Sequence, residues 1–419
     1  MSLKIKKSQV IFGLPLLLLL FQYGIINNTD GLVMTIVNYA DELIAVFFLL
    51  YIMKHILCRG RLTKYEKIIL VIASSFMLVG IVSTIFHGMQ PIAAVLIDAF
   101  ACAKFMIVLV GTSILYRRLR FVFSIESLNS IVRLSVLLLF SLLIINVFVN
   151  EIFEPMTDRH LLFVQSQRLF FGHAAELAET SFFCLIILFY NERTKSNFIY
   201  MIMASLLVVS SIRIKEIAIV MLFWIMYFYF VKMKIKTKSI LYLLCAVAVL
   251  VFGYDQFSYY YGNTETARSL LTITSIRIAN EYFPLGAGFA TFGSAMSNTY
   301  YSPLYYKYGL NTVWGLGGGE NYNFISDTFW PIVIGEFGWI GFILIIVLFW
   351  FLFRNCFSMK TNMYCYIGGL SICFFLLVVS LGASSIFNPF SILCAAMLSY
   401  FNYQANLSGE YTKWELNRQ

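Results

Sequence analysis

Apolar stretches long enough to cross a lipid bilayer follow one another along almost the whole chain, and they stop only between Tyr254 and Asp327. In lipid every backbone polar group must be satisfied within the protein, so only helices and closed barrels can span. Barrel strands read as short alternating segments. The runs here are continuous, which selects helices. A spanning helix needs roughly 20 mostly apolar residues. Counted at that length, the chain holds about twelve spans, at about 9–27, 33–55, 68–87, 91–116, 131–152, 174–191, 197–211, 214–231, 238–254, 329–353, 363–381 and 385–403. The expected fold is therefore all-α and polytopic: one transmembrane helical domain over residues 1–419, with a large polar loop at 255–328 between spans nine and ten. Charged residues make up 12% of the chain, about half the share of a soluble domain, which excludes a soluble fold.

Short loops fix the orientation, because Lys and Arg concentrate on the cytoplasmic side. Lys4, Lys6 and Lys7 precede the first apolar run; with no small-residue cleavage site behind it, that run reads as an uncleaved helix. On the same side fall Arg59, Arg61, Lys64 and Lys67, then Arg117, Arg118 and Arg120, Arg193 and Lys195, the lysines from Lys232 to Lys238, Arg354 and Lys360, and Lys413 and Arg418. An even number of spans puts both termini in the cytoplasm. The net charge of +9 is thus a topology signal directed at anionic lipid, and nucleic acid is not an expected partner. Eight cysteines lie outside the polar loop without a CxxC pair, so neither a disulfide framework nor a zinc site is expected.

Cations on the opposite side are not required by topology, and they gather near 153–173, at a tight turn near 213, and in the polar loop. Arg159, Arg168, Arg213, Lys215, Arg268, Arg277 and Lys307 are the set. Arg213 and Lys215 lie in Ser210-Ser211-Ile212-Arg213-Ile214-Lys215-Glu216. Such cations can snorkel to lipid phosphate; the alternative is a clamp for a phosphate or pyrophosphate. Arg277 opens a segment that continues through Pro284-Leu285-Gly286-Ala287-Gly288, where Pro and two glycines mark a turn; it is no dinucleotide fingerprint, lacking a preceding strand and a third spaced glycine. Asp327 stands just before a span, where a carboxylate is either a helix cap or a base that handles an acceptor hydroxyl. Glu336 falls two turns into that span, where a charge is expensive. Arg168, His173, Glu176 and Glu179 close the first polar loop, with Glu176 and Glu179 spaced for one helical face. His173, Glu176, Glu320 and Tyr322 are candidates for substrate contact. Tyr259 to Tyr261, Tyr300, Tyr301, Tyr305 and Tyr306 suit an interfacial belt or sugar stacking. Inside the membrane, Asp41, Glu42, Asp98 and Lys104 are ionisable, which suits either a structural ion pair involving Lys104 or a proton relay.

These segments, in this order, resemble bacterial polysaccharide polymerases of the Wzy type, which are related to the O-antigen ligases. The topology as a whole carries the likeness, as do the Ser-rich turn with Arg213 and Lys215, the run from Arg277 to Gly288, and the run from Asp327 to Glu336-Phe337-Gly338. O-antigen ligases typically have a His where this chain has Asp327, which favours a polymerase. The resemblance implies a GT-C-like glycosyltransferase architecture and metal-independent transfer of a growing glycan from undecaprenyl pyrophosphate onto a lipid-linked repeat unit. It implies no cofactor, a bacterial cytoplasmic-membrane location with the active site facing the periplasm or cell exterior, and a flippase and a chain-length regulator as candidate partners. Arg213, Lys215, Arg277 and Arg168 would then hold the pyrophosphate, with Asp327, Arg213 and Arg277 as catalytic groups and no metal. The rivals are ligase-type transfer and a lipid-linked sugar flippase; transporters often carry internal repeats, and none is visible here.

Overall fold

A computed structural model describes residues 15, 17–119, 125–149, 152–161, 164–192, 196–234, 266–318 and 324–416. The expected span at 238–254, the Tyr259 to Tyr261 cluster, Glu320 and Tyr322 lie outside the described residues. The helices are α1 Gln22–Asn27, α2 Gly31–Asn38, α3 Ala40–Leu57, α4 Lys64–His87, α5 Ile92–Leu119, α6 Ile125–Val149, α7 Ala174–Asn191, α8 Phe198–Ser210 and α9 Ile214–Met226, which continues as a π-helical turn over Tyr227–Lys232. After the polar segment come α10 Ala267–Glu281, the short α11 Ala295–Thr299 and α12 Pro303–Lys307, then α13 Phe329–Ser358, α14 Met363–Val379 and α15 Ser391–Leu416. A two-stranded antiparallel hairpin, β1 Met156–Leu161 with β2 Val164–Ser166, is the sheet among the described residues.

Six of these helices are long and apolar enough to cross a membrane, or seven if the bent pair α2 and α3 counts as one span; α8 and α14 are shorter apolar helices. The chain is thus a helical polytopic membrane protein. Local chemistry sets the helix ends. Thr63 and Glu66 form a reciprocal capping box at the start of α4, and left-handed Gly88 ends it. Asn362 caps α14 by accepting the Cys365 N–H.

Burial differs widely among the helices. α7 is 89% buried across its span although its mean hydropathy is only 1.3, while the α4 and α6 spans, at 2.5, are 33% and 28% buried. Along α4, Val71, Leu78 and Ile85 recur every seven residues and are 63%, 62% and 76% exposed. An apolar stripe pointing out of the protein is what lipid requires, and the helix closed in by protein has the least need of it. Helices α6, α8, α9 and α14 all touch α7, α15 lies along α5, and α10 lies along α13.

Lys104 is matched inside the bundle. Lys104 Nζ meets Asp41 Oδ2 at 2.6 Å and Glu42 Oε1 at 3.7 Å, and Gln22 donates to Asp41 Oδ1. The ion-pair expectation for Lys104 is met. At the end of the bundle that carries the basic loops, Glu66 accepts from Arg117 and Ser113.

At the opposite end the polar segment builds a small core of its own from Leu271, Ile278, Phe292, Leu304, Tyr305 and Leu316. Tyr305 departs from the interfacial-belt expectation: it is fully buried, and its hydroxyl accepts the Gly293 N–H and bonds Ser297 Oγ.

Candidate functional site

Three helix starts and the hairpin converge at that polar end. The hairpin is fastened to the end of α8, because Gln167 N–H donates to Ser210 O at 2.9 Å and Ser166 Oγ donates to Ser211 O at 2.6 Å. This places Arg159, on β1, beside the turn before α9. Ile212 in that turn has a φ of 51°, which swings the chain so that Arg213 becomes the N-cap of α9. α7 starts at His173, whose Nδ1 accepts the Ala175 N–H at 3.2 Å, while Glu176 Oε2 accepts the N–H groups of His173 and Gly172 at 3.2 and 3.0 Å. α10 starts at Thr266, whose hydroxyl accepts the Ser269 N–H, and this sets Arg268 in its first turn.

A cavity of about 440 Å³ lies among them. Arg159, Arg213, Lys215 and Arg268 line it, as do Glu176, Glu179, Glu216 and Asp327, with His173 and Tyr23; Phe324, Val379, Leu381 and Ala383 form an apolar side. The starts of α7 and α9 both open on this space, and the positive ends of helix dipoles favour an anion there. Arg213 Nη2 stands 2.8 Å from His173 Nε2 and 3.5 Å from Met156 Sδ. A neutral imidazole has one nitrogen lone pair, so the Arg213 and Ala175 donors compete for the same ring. Lys215 Nζ reaches Gly382 O at 3.4 Å. Arg268 Nη2 and Asp327 Oδ2 form an ion pair at 3.2 Å. Burial pushes the Asp327 carboxyl above the usual carboxylate range, against the pull of Arg268, Lys215 and Arg213.

Of the residues singled out from sequence, Arg213, Lys215, His173, Glu176 and Asp327 come together here. Arg277 does not. It is exposed on α10, outside the cavity lining. Nine residues separate it from Arg268, about two and a half helical turns, so the two cations face opposite sides of one helix. Arg168 also stays out of the lining: its guanidinium donates to Glu154 O at 2.8 Å and to Gly172 O at 3.4 Å, tying the loop together. Arg268 and Arg159, lining residues that the site assignment passed over, were both visible as cations on the side topology leaves neutral.

The run from Pro284 to Gly288 has a different task. It threads between α4, α5 and α13, and its backbone is satisfied by distant groups. Ser83 donates to Gly286 O, Thr84 accepts the Phe289 N–H, Asp98 accepts the Ala290 N–H at 2.8 Å, and Glu336 accepts from Phe292 N–H and Ser294 Oγ at 3.1 and 2.9 Å. A Cβ on Gly286 would lie 2.4 Å from Gly338 N, and one on Gly338 would lie 2.5 Å from Gly286 N and Pro284 O. Gly338 interrupts α13 with a φ of 60°, a conformation open to glycine. This knot fixes α10 against α13, and so sets where Arg268 sits. Asp98 and Glu336, with Cys102, bring ligand atoms within 4.8 Å of one another; all three are buried and lie outside the cavity lining.

No family model matches the chain, and no curated protein matches it in sequence.

Proposed function

We propose that this chain is a membrane glycosyltransferase that polymerises lipid-linked oligosaccharide repeats at the outer face of the bacterial cytoplasmic membrane, without a metal ion. The growing glycan is the donor, carried on undecaprenyl pyrophosphate. A single lipid-linked repeat is the acceptor. The observation that carries this reading is the gathering of Arg159, Arg213, Lys215 and Arg268 around one cavity onto which two helix N-termini open. Pyrophosphate leaves with growing negative charge, and fixed cations aimed at it lower that barrier. Arg268, in place of Arg277, is the cation that α10 contributes, and its ion pair with Asp327 holds the guanidinium in position. The apolar side formed by Val379, Leu381 and Ala383 suits the first part of a lipid chain.

Membranes from a strain lacking its own copy, resupplied with the full chain, test this. The expected result is long polymer with or without chelator, and single repeats alone when the copy is absent. Unattached long chains in the deletion strain would point instead to a ligase. Dependence of transfer on an ion gradient would point to transport.

A further inference from the structure

We propose that Glu216 is the catalytic base that takes the proton from the acceptor hydroxyl. This rests on the glycosyltransferase reading above and names the group which that reading leaves open. Four carboxylates line the cavity, and they are not equivalent. Glu176 is bound into the start of α7 by two backbone N–H groups. Asp327 is held by Arg268. Glu179 sits one turn deeper than Glu176, within electrostatic range of Glu216 and Lys215. Glu216 itself is 3% exposed, lines the cavity, and has an Oε2 with no hydrogen-bond partner among the described residues.

A buried carboxylate oxygen without a donor is costly to keep. On a cavity lining such an oxygen is placed to accept from a ligand, and a sugar hydroxyl is a suitable donor. Position agrees with this role. Glu216 follows Arg213 by three residues at the start of α9, and side chains at that spacing share a helix face with Cβ atoms about 5–6 Å apart. Both residues line the cavity, and the proposal sets the anomeric carbon between the Arg213 guanidinium, which receives the leaving phosphate oxygen, and the Glu216 carboxylate, which receives the proton. In the step, the acceptor oxygen bonds to the anomeric carbon and its proton passes to Glu216. The bond from that carbon to the pyrophosphate oxygen breaks, and its electron pair leaves with the lipid pyrophosphate beside Arg213.

The test uses the full-length chain in membranes that contain the native lipid-linked repeats, with inorganic pyrophosphate as a separate binding probe on purified protein. Glu216→Gln keeps the shape and removes the base. Polymerisation is expected to fall about 10²–10⁴-fold, the range for general-base loss, with pyrophosphate affinity within about twofold of the parent protein. Glu216→Asp is expected to recover part of the rate, which also covers the case in which the Gln variant fails to accumulate. Parental polymerisation by Glu216→Gln would overturn the assignment and leave the glycosyltransferase reading intact. Loss of pyrophosphate binding together with activity would also overturn it, because Glu216 would then be structural. No polymer from the parent protein under the same conditions would remove the reading on which it rests.

Discussion

Two regions at the polar end of the bundle both bury carboxylates, and they use them in opposite ways. In the knot, Asp98 and Glu336 accept backbone N–H groups from a chain segment about 200 and 45 residues away in sequence. Their neighbours are glycines whose missing side chains let two backbones touch. In the cavity, Asp327 and Glu216 face cations and open space. The difference teaches that a charge in a membrane bundle is informative only with its partners known. Backbone donors from a packed segment mark scaffolding, as at Asp98 and Glu336, whereas carboxylates that share a cavity lining with several cations mark chemistry.

The sharpest way to break this comparison is to damage the knot alone. Gly338→Val forces a β-branched residue to a φ of 60° and drives it into the Pro284 to Gly286 backbone. It is expected to cost more than about 3 kcal/mol and to abolish accumulation of folded protein, measured by detergent-resistant monodispersity. A folded, active variant would mean that the knot does not hold the fold.

Next in size is the pair on α10. Arg268→Ala is expected to slow polymerisation about 10²–10³-fold, equivalent to about 2.7–4 kcal/mol of barrier, with the protein still folded. Arg277→Ala should stay within about twofold of the parent, as surface substitutions usually do. Equal losses in both would put Arg277 back in the site. Glu336 gives a third contrast. Glu336→Leu strands the Phe292 and Ser294 donors and should cost about 2 kcal/mol in thermal unfolding. Glu336→Gln keeps an acceptor for both and should be close to neutral.

The smallest expected effect comes from Asp327. Its carboxyl is raised in the folded state, above the unfolded value of about 3.9. The folded protein therefore favours the protonated form. The stability this contributes is present at low pH and is lost as pH rises through the raised value. Asp327→Asn should then be slightly more stable than the parent at pH 7, by less than about 1 kcal/mol because the group is half-buried, and the advantage should vanish near pH 3. The same variant should polymerise more slowly, since Arg268 loses its counter-charge. A stability loss at pH 7 would show that the ion pair outweighs burial.

Much of this is legible in the amino-acid sequence. The helices were legible because lipid demands long apolar runs. Arg213, Lys215 and Asp327 were legible because charge on the sparsely charged side needs a reason. Arg268 against Arg277 was not legible, since choosing between them requires the rotational phase of α10, and that phase is set by contact with α13. The role of the Pro284 to Gly288 run was hidden for a related reason: its partners Ser83, Thr84 and Asp98 lie about 200 residues earlier.

The enclosure of α7 bears on how the chain is made. A helix walled by α6, α8, α9 and α14, with modest hydropathy of its own, gains little from bilayer contact until those neighbours exist. Three of the four emerge from the ribosome after it. Its settling must wait for later helices, so nascent chains stopped soon after Asn191 should be cleared by proteolysis faster than chains stopped at Val149.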